Sequence, residues 1–197
     1  MDGGFSFPPE LEREILETAA LRNPEMIPTL LLVCHRVHVW IEPLLYKVIV
    51  ASTRENFPPL SALESKTPTF LENAVQNVYV HDSEEMYEYD VLNKLFPNCS
   101  HIVNLSVDSG LENLDLLGIL DKVHLQKLAL SVPSWVSRWH LAGFNHPIFL
   151  SVTHLDLWQE GPADEDQSDW RNWSGLASLP ALTHLALSPS KRTLTHL

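Results

Sequence analysis

At 197 residues the chain has room for one ordinary domain, or for a small cap and a short stack of repeats, and its 45% apolar content can fill a core. A formal charge of −12, with only 13 Lys and Arg, argues against nucleic acid, which is bound mainly by neutralising phosphates, and disfavours anionic membranes for the same reason. The two cysteines, Cys34 and Cys99, cannot build a disulfide framework or a thiolate metal site, and both lie in apolar patterns that predict reduced, buried thiols. The N-terminus lacks a basic segment followed by an apolar one, so no secretory signal is expected and the predicted location is cytoplasmic, nuclear or both. The longest apolar stretch, 27–34, carries a proline and a threonine and falls far short of the roughly 18 residues of a membrane span.

The first predicted element is a helical block over residues 8–42. Pro8 and Pro9 suit a first helical turn, and Glu10, Glu12 and Glu14 complement its dipole. Leu11, Ile15 and Ala19 recur every fourth residue, with Leu16 and Ala20 beside them and charged residues opposite, which predicts an amphipathic helix ended by Asn23 and Pro24. Leu30, Val33, Cys34, Val37, Trp40 and Ile41 keep helical spacing in a second run, and Pro43 marks its boundary. Beyond it, Tyr46, Val48 and Val50 alternate with Lys47, Ile49 and Ala51, a pattern that predicts the first strand. Residues 52–68, rich in Ser, Thr and Pro, are predicted to be a loop.

From there an apolar pattern of the form L-x-x-L-x-L occurs five times: Val75/Val78/Val80, Ile102/Leu105/Val107, Leu125/Leu128/Leu130, Val152/Leu155/Leu157 and Leu182/Leu185/Leu187. Successive central positions are 27, 23, 27 and 30 residues apart, which fits one short strand and one return segment per unit. The string Thr-His-Leu-Asp-Leu at 153–157 is echoed by Thr-His-Leu-Ala-Leu at 183–187 and by Thr-His-Leu at 195–197. Segments 86–95 and 111–123 are the most helical of the return segments, and 131–151 is aromatic and less regular. The last unit has no polar cap of the kind that keeps solenoid ends soluble, so the repeat region is expected to be incomplete at its C-terminus, or to end on an abbreviated strand at 194–197.

The N-terminal block resembles an F-box, and specifically the F-box-like N-terminus of many fungal proteins. FPPELEREIL is similar to the family's Leu-Pro-x-Glu-Leu opening, with Phe7 in place of leucine and Pro8, Glu10, Leu11 and Ile15 in register. LLLVC is similar to the family's Leu-x-Leu-Val-Cys element through Leu30, Leu32, Val33 and Cys34. Where the family usually has tryptophan three residues after the cysteine, this chain has Val37, with Trp40 one turn later. The following segments, including LFPNCSHIVNLSV at 95–107, resemble degenerate leucine-rich repeats without a regular asparagine ladder. The resemblance implies an α/β chain with an F-box-like helical domain over 1–45 and a short solenoid of parallel strands over 46–197. It also implies a substrate receptor of an SCF-type cullin-RING ubiquitin ligase, in which the N-terminal helices hold a Skp-type adaptor and the repeats hold a target protein. Such a receptor is not an enzyme; it acts by holding the target's lysines near the thioester.

The apolar faces of the N-terminal helices can form a private core or a surface offered to an adaptor, and the resemblance implies the second for Phe7, Pro8, Leu11, Ile15, Leu32, Val33, Val37 and Trp40. Five of the ten histidines, at 101, 124, 154, 184 and 196, stand immediately before or within a repeat strand, which is repeat phase rather than metal-ligand spacing, and no metal or other cofactor is expected. Gly-x-Ser-x-Gly and Walker motifs are missing. Trp158, Trp170 and Trp173 flank an acidic insertion at 159–169 that includes Asp164, Glu165, Asp166 and Asp169. This cluster is either a target-binding surface or a set of rings sealing an irregular return beside a solvated loop. A rival to the ubiquitin reading is a non-catalytic repeat scaffold whose helical block merely caps the stack.

Overall fold

The computed structural model describes residues 7–51, 63–80, 96–107, 120, 123–131, 144, 146–159 and 175–189. Residues 1–48 and 49–197 form two compact units. The first is helical: α1 (Pro9–Arg22), a 3-10 turn (Pro24–Met26), α2 (Ile27–Leu30) and α3 (His35–Tyr46). Pro9 stands at the first position of α1, where its missing N–H has no intrahelical partner to lose, and Glu10 and Glu12 occupy the positive end of the helix dipole.

The core of this unit consists of Ala20, Ile27, Leu30, Val37 and Ile41, with Leu16, Leu31, Trp40 and Leu44 packed around it. Helix α1 therefore turns its Leu16 and Ala20 side inward and leaves Leu11 and Ile15 exposed. Three expectations are corrected here. The second apolar run is two helices, because the chain turns after Leu30 and Cys34 takes an extended conformation (φ −165°, ψ 164°) ahead of α3. Pro43 lies inside α3, and Tyr46 ends that helix rather than opening a strand. The hydrogen bond that Pro43 cannot give would have gone to the carbonyl of Val39, an exposed residue.

The second unit is built on a six-stranded sheet in sequence order: β1 (Val48–Ala51), β2 (Asn77–Val80), β3 (Asn104–Val107), β4 (Lys127–Ser131), β5 (His154–Gln159) and β6 (His184–Pro189). Strands β2 to β6 pair in parallel, and Val78, Leu105, Leu128, Leu155 and Leu185 are direct partners across them, as are Val80, Val107, Leu130, Leu157 and Leu187. The five apolar patterns are thus in phase. The same backbone device starts each rung: Val103 and Asn104 donate to the Gln76 carbonyl, Gln126 and Lys127 to that of Val103, Thr153 and His154 to that of Gln126, and Thr183 and His184 to that of Thr153.

The central positions of β2 to β5 are buried, and so are the leading residues Val75, Ile102, Leu125 and Val152. Leu185 and Leu187 depart from the expectation of one continuous core, being 46% and 65% exposed. They keep the phase of the row, but among the described residues β6 is the last strand of the sheet and has a strand neighbour on one side only. Among the buried rings, Phe144 meets Phe149 edge to face at 5.4 Å. Gly175 allows a close approach there, since a Cβ on it would lie 3.1 Å from the Cβ of Phe144.

Helix α4 (Pro68–Ala74) starts at the end of the stretch assigned to a loop. Its signal is Thr67-Pro68: the Thr67 side chain accepts a hydrogen bond from the Phe70 N–H at 3.2 Å, and Pro68 occupies the first turn. Thr67→Ala is expected to destabilise the second unit by about 1 kcal/mol, and Thr67→Ser much less, measured as shifts in a urea midpoint. Equal losses for both would show that the hydroxyl does not cap the helix. The predicted helical segment at 86–95 lies outside the described residues, as do all of that at 111–123 except residues 120 and 123, most of 131–151 and the strand at 194–197.

Candidate interaction surfaces

On the N-terminal unit the ion pair from Arg36 to Glu12 holds the start of α3 beside the first turn of α1. Phe7, Pro8 and Leu11, together with Leu32 and Val33 in the turn before α3, therefore emerge at one end of the unit. Leu32 is 87% exposed and Val33 60%, and Phe7, Pro8, Leu11 and Ile15 are exposed as well. Of the eight residues expected at an adaptor surface, Val37 does not belong there: at 1% exposure it fills the private core. It lies four residues before Ile41 and seven after Leu30, on the inward stripe of α3. Trp40 is half-buried, with the Arg36 guanidinium 5.2 Å from its ring centroid.

The cysteines differ. Cys34 is exposed, against the expectation of a buried thiol, because it sits in the turn between α2 and α3. Cys99 is buried directly after the turn Phe96–Asn98, and burial, then the nearby Glu72 carboxylate, pushes its thiol up to about 12. A raised thiol pKa disfavours the thiolate in the folded state, so its contribution to stability is complete below the ordinary value of 9.0 and is lost as pH rises towards 12. Brief alkylation of the folded chain near pH 8 is expected to label Cys34 and spare Cys99, read by peptide mass spectrometry, with both labelled in denaturant. Equal labelling of the two in the folded chain would contradict this placement.

The face of the sheet opposite the apolar rows carries a polar row. One row runs Asn77, Asn104, Lys127, His154 and His184, and the Asn104 side-chain amide donates to the Asn77 side-chain oxygen. The asparagines stop there, since Lys127, His154 and His184 continue the row, so no regular asparagine ladder runs along it. Further along the row the His154 and His184 rings stack, with centroids 4.1 Å apart and planes 4° from parallel. Of the target-surface residues proposed from the sequence, Trp158 contributes its backbone to β5, paired with Ser131 and Ser188. Asp164, Glu165, Asp166, Asp169, Trp170 and Trp173 lie outside the described residues.

No protein-family model, curated protein or solved structure matches the chain. Among the described residues no three His, Cys, Asp or Glu side chains gather in a way that could hold a metal ion, and no helix is long and apolar enough to cross a membrane.

Proposed function

We propose that the chain is a substrate receptor of an SCF-type ubiquitin ligase, holding a Skp-type adaptor through its N-terminal helices and a target protein through a leucine-rich-repeat-like sheet. One observation carries the reading: the N-terminal unit completes a small core without Leu32, Val33, Leu11, Ile15 or Phe7, and leaves all five exposed. A unit of this size buries little apolar surface of its own, and covering these side chains with a partner would add about 1.5–3 kcal/mol for each one fully buried. The adaptor surface in this reading comprises Phe7, Pro8, Leu11, Ile15, Leu32 and Val33, flanked by the Trp40 ring; Val37 supports them from the core.

The mechanism is recruitment, and the receptor breaks no bond. Tethering raises the effective concentration of target lysines at the ubiquitin-loaded enzyme. The strands in sequence order, with parallel pairing and one apolar phase over β2 to β6 and one backbone device at the starts of β3 to β6, support the repeat half of the reading. Co-purification of the full chain with a tagged Skp-type adaptor from cell extract is the test. Capture is expected, and its failure with folded protein would favour the scaffold reading.

A further inference from the structure

The hydroxyl of Thr153 donates to the Gln126 carbonyl at 3.0 Å, and that of Thr183 to the Thr153 carbonyl at 2.9 Å. Each hydroxyl oxygen also lies 2.8 Å from Nδ1 of the following histidine, His154 or His184. A hydroxyl has one proton, and both are already used. At each rung the imidazole must therefore donate, Nδ1–H to Oγ1, which leaves Nε2 as the basic nitrogen of each ring. Because the rings stack in register, their Nε2 atoms stand side by side on the outer face of the sheet. Lys127 precedes them in the same row on β4, and Asp156 lies two residues beyond His154 on β5. Among the described residues of β4, β5 and β6, these four are the titratable groups on that face.

We propose that the Lys127–His154–His184 row docks carboxylate side chains of an acidic polypeptide segment, and that docking takes up a proton. Charge complementarity selects the occupant, because this row gathers one ammonium and two protonatable rings on a chain whose net charge is −12. The proton from water adds to Nε2, since Nδ1 is already committed. A carboxylate then accepts from Nε2–H while Lys127 supplies a second cation, a charge-assisted arrangement stronger than neutral hydrogen bonds. Without an anion, the stacked geometry opposes that proton. Desolvation, then His184, then Lys127, holds His154 below its ordinary value of 6.5. Repulsion from the rest of the chain is damped beyond about 10 Å at 0.1 M salt. The inference stands whether or not the N-terminal unit binds an adaptor.

The test is to titrate the full chain with a glutamate-rich decapeptide at about pH 6 and pH 8, within the range where histidine changes charge, while following the His154 ring protons by NMR. Binding is expected to be at least about tenfold tighter at the lower pH, the size of one linked proton acting over part of the range. Saturating peptide should also raise the pH at which His154 titrates. His184→Gln and His154→Gln should each reduce the pH dependence with the circular dichroism unchanged, and Lys127→Met should weaken binding at both pH values. Should a histidine variant fail to fold, Lys127→Met and the parent's His154 titration decide the matter. Equal affinity at both pH values, binding that survives removal of both rings, or a His154 titration unmoved by peptide would overturn the proposal. So would equal competition by inorganic phosphate at the same concentration, which would mark a general small-anion site.

Discussion

Leu128→Ala is expected to destabilise the second unit by about 2–5 kcal/mol, because it removes apolar transfer energy and leaves a cavity that a close-packed interior fills only in part. Leu128 is the middle member of the row Val78, Leu105, Leu128, Leu155 and Leu185, with strands on both sides to hold the gap open. Leu187→Ala, two positions further along the pattern and mostly exposed on β6, should change stability by no more than about 0.5 kcal/mol. Urea denaturation of the two variants checks both values. Similar losses at the two sites would mean that β6 is as well covered as β4.

A second contrast belongs to the N-terminal unit. Val37→Asp would place an unpaired carboxylate among Ala20, Ile27, Leu30 and Ile41, and should cost more than about 4 kcal/mol, enough to unfold the unit. Rapid proteolysis confined to residues 1–48 would report it. Leu32→Asp places the same charge in water and should leave folding within about 0.5 kcal/mol of the parent. A protease-resistant Val37→Asp chain would show that α3 does not pack its Val37 stripe inward.

The strands were legible because each apolar triplet combines a period of two with a recurrence at one position of a repeating unit, and the Thr-His-Leu echoes fix the phase independently of hydrophobicity. Phase does not reveal how many neighbours a strand has, so Leu185 could not be distinguished from Leu128 before the sheet order was known. The helices were less legible at their joints. The stripe Leu30, Val37 and Ile41 runs across the turn at residues 31–34 without losing helical spacing, so periodicity carries no sign of the break. Pro43 has the local chemistry of a helix end, yet the bond it forgoes falls at the exposed Val39, and packing of Val37 and Ile41 carries α3 onward to Tyr46.

The exposed set shows the same limit. On α1 the Leu11 and Ile15 row and the Leu16 and Ala20 row lie side by side, and hydrophobicity alone cannot choose which turns inward. The core chose the smaller Ala20, and that choice leaves Leu11 and Ile15 outside. Val37 entered the candidate surface by its place three residues after Cys34, a position whose orientation depends on the turn that the sequence concealed. The histidine pairing was visible only as repeat phase, because the hydroxyl-to-carbonyl bonds that set the ring tautomers depend on strand register.

The adaptor reading is tested most directly by calorimetric titration of a Skp-type adaptor into the folded full chain and its Leu32→Asp variant. A charge buried without a partner at a desolvated contact costs several kcal/mol, so the parent should bind and the variant should bind at least about a hundredfold more weakly, with unchanged thermal unfolding. Equal affinities for the two, or no binding by the parent, would contradict it.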